Sequence, residues 1–301
     1  MTERAPLAPA HAAAVWWLAI RPKTLGAAVA PVLMGIAMAW RDGLAHAGAA
    51  AAALAGALLL QIAANFANDY FDWKKGADGA ERVGPVRVVS AGYVRPATMK
   101  LAIGITLLAV MPIAAYLVWR AGMAFLWIGA AGAAFALLYT GGPKPLAYIG
   151  LGDVSVFAFF GPVALAGTYA AQALQFAWPP MIAGIGPGCL AMALLAVNNL
   201  RDRHGDALVH KRTLAVRFGA TFARWEIIGS IMAAAAIPIV LAIQTRHWGA
   251  IAASAVCLTM IRPVRMILAG GQGHTLNKVL AATGRCILLY GLAFAIGWIL
   301  L

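Results

Sequence analysis

The sequence contains little charge for its length. Only 11% of its 301 residues are charged, and just ten of these residues are acidic, whereas about a quarter of the residues of a soluble domain are charged. With 63% hydrophobic residues and a mean hydropathy of +0.82, the chain is too apolar for a soluble fold. We expect an integral membrane protein that contacts the lipid bilayer and binds no nucleic acid.

Several common functional signatures are also missing. The cysteines Cys189, Cys257 and Cys286 stand singly in apolar runs, and the six histidines show no metal spacing, so we expect neither a disulfide framework nor a zinc site. The sequence contains no glycine-rich nucleotide loop and no nucleophile elbow. Arg21 and Lys23 interrupt the apolar amino-terminal run, so we expect this segment to be retained and not cleaved as a signal peptide.

Apolar runs of membrane-spanning length divide the whole chain. We predict an all-α bundle of about nine transmembrane helices, forming a single domain over residues 1–301 around a central cavity open to the cytoplasmic face. The predicted segments are 18–40, 47–68, 99–119, 122–140, 151–172, 179–199, 225–244, 247–261 and 279–300. A parallel repeat would relate 18–140 to 151–261, with the helix 279–300 added at the end.

The basic residues favour this topology. Nine spans would place nineteen of the 23 bases on one side of the membrane, and only Arg41, Arg120 and Arg246 on the other. Because positive charge is retained on the cytoplasmic side, we expect an inner-membrane protein of bacterial type whose amino terminus and long loops are cytoplasmic. Seven of the ten acids lie on that same side.

Two matched polar clusters lie at the carboxyl ends of the second and sixth predicted spans. In the first, Asn68, Asp69 and Asp72 share one helical face, and Gly76 ends the helix so that Asp78 can fold back. In the second, Asn198, Asp202 and Asp206 lie one helical turn apart. Carboxylate and amide oxygens of this kind suit Mg²⁺ that carries a diphosphate. The alternative is that solvated acids pair with neighbouring lysines and arginines.

Basic residues follow both clusters closely. Arg82 and Arg87 come after the first, and Lys211 and Arg212 after the second, where they would bind phosphate oxygens and stabilise a departing diphosphate. Setting the membrane topology is the alternative role for these bases. Arg21 and Lys23 stand where the first span begins, as diphosphate ligands or as interfacial anchors.

A rigid turn, Tyr139 to Pro145, leads into the fifth span. We expect this turn to shape a loop on the active face, with Tyr139, Lys144 and Asp153 directed at the cavity. Asp153 could equally cap the start of the fifth span.

The motifs NDYFD at 68–72 and DRHGD at 202–206, on nine spans, resemble the UbiA superfamily of intramembrane aromatic prenyltransferases. The longer runs around them, and the turn YTGGPKPLAYIGLGD, are most similar to the branch that prenylates 1,4-dihydroxy-2-naphthoate. The resemblance implies Mg²⁺-dependent transfer of a polyprenyl group from polyprenyl diphosphate to that naphthoate with loss of CO₂, in menaquinone biosynthesis. It implies catalytic roles for Asp72, Asp202, Asp206, Lys144 and Lys211.

The resemblance also assigns further residues to the site. The metal ligands would be Asn68, Asp69, Asp72, Asp78, Asn198, Asp202 and Asp206, and the apolar side chains Phe66, Phe71 and Phe159 would shield an allylic cation. Two positions depart from the usual pattern: Gly76 stands where the third acid of the first motif is commoner, and His210 stands where glycine is expected. The alternatives are another aromatic acceptor, such as 4-hydroxybenzoate, haem or chlorophyllide, and a cation-coupled transporter.

Overall fold

The structure, a computed structural model, describes residues 11–76, 84 and 86–301, and this part of the chain is helical and contains no β-strand. Ten helices follow one another in the described residues: α1 (Ala12–Ile20), α2 (Pro22–Arg41), α3 (Ala47–Lys74), α4 (Pro96–Ala121), α5 (Ala124–Leu138), α6 (Gly152–Ala173), α7 (Trp178–Leu208), α8 (Leu214–Thr245), α9 (Trp248–Leu268) and α10 (His274–Leu300).

The predicted all-α membrane bundle is confirmed. Eight helices of the described chain, all of α2 to α10 except α5, are long and apolar enough to cross a membrane, and α5 is a shorter apolar helix. The first predicted segment is divided, because Arg21 adopts a left-handed conformation with φ 55° and separates α1 from α2. The eighth segment, short in the sequence prediction, continues to Leu268.

Both polar clusters lie on helices that extend well beyond their apolar stretches. α3 continues six residues past the predicted boundary and ends at Lys74, followed by Gly76 with φ 65°. α7 continues to Leu208, nine residues past its predicted boundary. Because three helices, α4, α5 and α6, lie between α3 and α7 in the chain, α3 and α7 run in the same direction and their carboxyl ends lie at the same end of the bundle.

The first and last spans pack together. α2 contacts α10, and α7 packs extensively against α8. Tyr290 on α10 is fully buried and donates a hydrogen bond to the Ala234 carbonyl of α8, at 3.0 Å. A buried phenol needs such a partner, so this bond fixes the depth of α10 relative to α8.

Glycines allow α6 to approach α7 closely. A Cβ atom on Gly161 would lie 2.5 Å from the Gly184 carbonyl oxygen, and one on Gly184 would lie 2.6 Å from Pro162 Cα. Close backbone contact through small residues is the usual way in which membrane helices associate. Here it holds α7, which carries the second polar cluster, firmly against the middle of the bundle.

Candidate active site

The first cluster is bridged by an arginine. The Nη2 atom of Arg87 donates to Asn68 Oδ1 at 3.1 Å and to Asp72 Oδ2 at 2.9 Å. The Arg87 and Asp72 side chains are 7% and 4% exposed. The other carboxylate oxygen of Asp72, Oδ1, is buried and has no hydrogen-bond partner among the described residues. An unpartnered buried carboxylate oxygen is costly, and a cation is the natural ligand for it.

Asp69 has different surroundings. Its Oδ2 accepts the backbone N–H of Val88 and its Oδ1 that of Val89, both at 3.1 Å. These two bonds fasten the loop that carries Arg87 to the carboxyl-terminal part of α3. Both oxygens of this predicted metal ligand are thus already hydrogen-bonded within the protein.

The second cluster repeats the arrangement of the first. Arg201 Nη2 donates to Asn198 Oδ1 at 2.8 Å and to Asp202 Oδ2 at 2.6 Å. Its Nε reaches Asp202 Oδ1 at 2.7 Å, and its Nη1 reaches Asn277 Oδ1 on α10 at 2.9 Å. The Arg201 side chain is 1% exposed and the Asp202 side chain 18%, so this bidentate pair is geometrically well formed, with a buried arginine and a partly exposed carboxylate.

Asp206 pairs with a lysine in the loop beyond α7. Lys211 Nζ lies 3.2 Å from Asp206 Oδ1, while Asp206 Oδ2 is buried without a partner in the described chain. Burial by itself would lower the pKa of Lys211, but the carboxylates of Asp206, Asp72 and Asp202 outweigh it and raise that pKa above its ordinary value. Lys211 therefore remains protonated, and it experiences charges from both clusters.

The loop between α5 and α6 supplies aromatic residues. Lys75 Nζ donates to the Thr140 carbonyl at 2.6 Å and lies 4.1 Å from the centre of the Tyr148 ring, and Lys211 Nζ lies 6.0 Å from the same ring. Burial, then the carboxylates of Asp72 and Asp206, raises the pKa of Tyr148. Tyr148 is therefore a neutral phenol with two lysines close to its ring.

Both clusters open into one polar cavity of about 620 Å³. Its lining combines the two polar clusters with bases and a tyrosine: Asn68, Asp72, Arg87, Tyr139, Asn198, Arg201, Asp202, Asp206 and Lys211. Helices α3 and α7 thus present carboxylates and amides to the same space, as the sequence analysis predicts.

A second, apolar cavity of about 160 Å³ lies between α2, α3, α4, α5 and α6. Phe135 and Phe159 line it and stack with their ring centres 4.6 Å apart. Phe66, by contrast, packs on Trp16 of α1, and Phe71 packs on Tyr70. Of the three predicted cation-shielding aromatics, only Phe159 lines a cavity described here.

Other predicted site residues lie outside the polar cavity. Lys144, Arg212 and Lys23 are exposed, and Arg21 is close enough to Asp69 to interact with it electrostatically. Asp153 is buried with its Oδ1 unpartnered among the described residues, and its charge acts on Tyr139. Asp78 and Arg82 lie outside the described residues.

The donor set suits Mg²⁺. Two carboxylate oxygens buried at the cavity, on Asp72 and Asp206, have no hydrogen-bond partner within the described residues, and the amides of Asn68 and Asn198 present oxygens beside the clusters. No group of three acidic, histidine or cysteine side chains in the described chain is close enough to hold a metal by itself. Mg²⁺ commonly binds through one or two carboxylates, completing its shell with water and substrate phosphates.

Comparison with known proteins identifies the family. Residues 28–274 match the UbiA prenyltransferase family. The chain belongs to this family. A 1,4-dihydroxy-2-naphthoate octaprenyltransferase of Mycobacterium tuberculosis is 40% identical over 94% of this chain and 96% of its own length.

Solved UbiA structures share the fold. An apo UbiA homologue from Aeropyrum pernix superposes with a TM-score of 0.72 at 15% identity, covering 92% of this chain and 98% of that one. A UbiA homologue from Archaeoglobus fulgidus bound to DMAPP and Mg²⁺ gives 0.64 at 15% identity, covering 95% and 99%. At 15% identity this likeness shows that the chain shares the fold of these structures.

Sequence reasoning missed three residues of the site. Arg201 is one of the nineteen bases that the predicted topology places on one side, and its position between Asn198 and Asp202 is a usable signal. Lys75 is one of the neighbouring lysines that could pair with solvated acids. Asn277 stands 75 positions after Asp202, and no pattern in the sequence connects it to the second cluster.

The structure also explains one departure from the family pattern. His210, at a position where the family pattern has glycine, has φ 57°, a left-handed conformation that favours glycine. His210 is exposed, so the backbone retains its turn and the side chain extends into solvent.

We predict that Asp69 mainly stabilises the loop. In an Asp69→Asn variant one of the two backbone N–H groups faces an amide NH₂ and loses its acceptor, so the free energy of unfolding should fall by about 1.5–3 kcal/mol. Thermal unfolding in detergent, without metal or substrate, measures this. The matched control is Asp42→Asn at the opposite end, where the new amide oxygen can still accept the bond from Tyr169. Equal midpoints for the two variants would refute the loop role.

Proposed function

We propose that this protein transfers a polyprenyl group from polyprenyl diphosphate to 1,4-dihydroxy-2-naphthoate with loss of CO₂, giving demethylmenaquinol, the reduced form of demethylmenaquinone, in menaquinone biosynthesis. The observation that carries the proposal is the meeting of two Asn/Asp clusters in one cavity, each with a buried carboxylate oxygen that has no hydrogen-bond partner in the part of the chain that the structure describes. The naphthoate octaprenyltransferases that match nearly the whole chain support this choice of acceptor.

The proposed metal ligands come from both clusters. Asn68 and Asp72 on α3 would hold one ion, and Asn198, Asp202 and Asp206 on α7 would hold another. Asp69 and Asp78 stay predicted ligands, although the oxygens of Asp69 already bind the backbone. When bound, Mg²⁺ neutralises the diphosphate and makes it a better leaving group.

Bases in the cavity complete the diphosphate site. Lys211 remains protonated and reaches towards both clusters, and Arg87 carries a planar fork that suits phosphate oxygens. Arg21, Lys23, Arg82, Lys144 and Arg212 stay predicted diphosphate ligands. As the carbon–oxygen bond of the prenyl diphosphate breaks, its electron pair leaves with the diphosphate, and these cations stabilise the new charge.

The apolar cavity beside the polar one would accept the first part of the prenyl chain. Its lining contains the stacked Phe135 and Phe159, whose ring faces can stabilise an allylic cation. The ring carbon that bears the naphthoate carboxylate attacks this cation. A carbon–carbon bond forms, the bond to the carboxylate breaks, and the electron pair released with CO₂ restores the aromatic ring. Tyr139 and Asp153 are proposed to orient this acceptor.

The site is proposed to face the cytoplasm in a bacterial inner membrane. The supporting observation is the strong excess of lysine and arginine in the loops at the end of the bundle that carries the site, as expected for cytoplasmic loops. Soluble substrates and Mg²⁺ would reach the polar cavity from that side, and the prenyl chain from the bilayer.

Purified protein with Mg²⁺ and a polyprenyl diphosphate should prenylate 1,4-dihydroxy-2-naphthoate and release one CO₂ for each product. Asp72→Asn and Asp202→Asn should each lower kcat/KM by about a hundredfold or more, since each removes a charge that stabilises the departing diphosphate through the metal. Product formation is followed by chromatography, and CO₂ by a carboxyl-labelled acceptor.

The control for this assay is Asp42→Asn, the same chemical change at the opposite end of the bundle, which should retain the wild-type rate. Product from 4-hydroxybenzoate but none from the naphthoate would overturn the proposed acceptor. Full activity in folded Asp72→Asn and Asp202→Asn variants would overturn the metal sites.

The orientation has its own test, in right-side-out vesicles. Lys100 is exposed near the start of α4, and Gln175 is exposed at the other end of the bundle. An impermeant maleimide should label Gln175→Cys directly, and Lys100→Cys only after the membrane is permeabilised. The natural cysteines are all buried and should give little background. Labelling in the reverse order would contradict the proposed orientation.

A further inference from the structure

The two polar clusters hold their arginines in the same way. In each, a single Nη2 atom lies between the Oδ1 atom of an asparagine and the Oδ2 atom of the aspartate four residues later: 3.1 and 2.9 Å for Arg87, and 2.8 and 2.6 Å for Arg201. The two arginines come from different places, because Arg87 lies in the loop after α3 and Arg201 lies within α7 itself. A shared geometry from unrelated positions indicates a shared role.

The first part of that role is to neutralise the charge of an aspartate. Asp72 is 4% exposed and Asp202 is 18% exposed, and both lie on helices that cross the membrane. A buried carboxylate without a counter-charge would be strongly destabilising. Each guanidinium supplies the counter-charge, and supplies it between the asparagine and the aspartate of its cluster.

A guanidinium and a metal ion cannot share the space between the same asparagine and aspartate oxygens. Mg²⁺ binds oxygen at about 2.0–2.1 Å, so an ion that reaches Asn68 as well as Asp72, and does not bind through Asp72 Oδ1 alone, would displace Arg87 Nη2 from between Asn68 Oδ1 and Asp72 Oδ2. An ion shared by Asn198 and Asp202 would similarly displace Arg201. Two cations at that separation also repel each other strongly in a site of low dielectric constant.

We propose that Arg87 and Arg201 are internal counter-ions, which occupy the two metal positions in the ligand-free protein and turn onto the diphosphate when Mg²⁺ and diphosphate enter together. This inference rests on the proposed function for the identity of the anion. The guanidinium fork matches phosphate oxygens, so each arginine exchanges a carboxylate for a phosphate without losing its charge partner. Asn277 holds Nη1 of Arg201 from α10 and provides a pivot for this movement.

The exchange makes metal and diphosphate binding cooperative. Metal alone must displace each arginine from its aspartate, and diphosphate supplies a new anion for the displaced guanidinium. Each ligand therefore raises the affinity for the other, by the same factor in both directions. The ligand-free protein stays neutralised, and Mg²⁺ is bound tightly only when the anion to be activated is present.

The test is Mn²⁺ binding to detergent-solubilised protein without substrate, measured from the electron paramagnetic resonance signal of unbound Mn²⁺. Arg201→Gln should bind Mn²⁺ about tenfold more tightly than the wild type, because the competing cation is gone. The matched control is Arg203→Gln, which removes the same charge two residues further along α7. The Nη2 atom of Arg203 lies 3.1 Å from His204 Nε2. The affinity of this control variant for Mn²⁺ should change no more than about threefold.

Arg87→Gln supplies an independent second variant, with Arg95→Gln, at an exposed position before α4, as its control. Folding is checked by size-exclusion chromatography and thermal unfolding. In wild type, inorganic diphosphate should tighten Mn²⁺ binding about tenfold beyond the contribution of the Mn²⁺–diphosphate complex in solution. This enhancement should shrink in both arginine variants.

Unchanged or weaker Mn²⁺ binding in folded Arg201→Gln and Arg87→Gln would overturn the exchange and leave both arginines with a structural role. Prenyl transfer is measured on the same wild-type preparation. If the arginine variants bind Mn²⁺ more tightly while the wild type transfers no prenyl group, the exchange is supported and the proposed function fails. If the wild type transfers the prenyl group normally and the variants bind Mn²⁺ with unchanged affinity, the proposed function is supported and the exchange fails.

Discussion

Neutralisation of buried carboxylates at one end of a membrane bundle is the constraint on which this structure depends. Asp72 and Asp202 lie on helices that must be apolar over most of their length, and an unpaired charge there would be costly. Arg87 and Arg201 neutralise these charges by forming ion pairs with Asp72 and Asp202. In doing so they connect the loop after α3 to α3 itself and, through Asn277, connect α10 to α7. The polar end of the fold is thus organised by the same charges that would perform the chemistry.

The helical architecture places these charges usefully. α3 and α7 run in the same direction, so their carboxyl ends meet at one cavity, and an apolar cavity lies between α2 and α6 close to the first cluster. A diphosphate with a hydrocarbon chain has this same division into a polar and an apolar part. The polar residues are gathered at one end of the bundle, and this arrangement favours a prenyl diphosphate enzyme over a transporter with a site at the midplane.

Much of this organisation was predictable from the sequence, because apolar runs and the distribution of bases report the spans directly. The spacing of Asn68 to Asp72 and of Asn198 to Asp202 predicted two clusters at the same end. The partners of these clusters were harder to predict, since Asn277 and Tyr148 reach them only through tertiary contacts. Asp69 looked equivalent to Asp72 on the helix, yet its oxygens bind the Val88 and Val89 backbone. The predicted parallel repeat stays a prediction.

The most direct test of the central claim is anomalous diffraction from crystals grown with Mn²⁺ and a non-reactive thio-analogue of a prenyl diphosphate. The account predicts one Mn²⁺ peak between Asn68 and Asp72 and another beside Asn198 and Asp202, with the diphosphate between them and both guanidinium groups turned towards it. Mn²⁺ peaks away from both clusters, or an ordered diphosphate with Arg87 and Arg201 still on their aspartates, would contradict it.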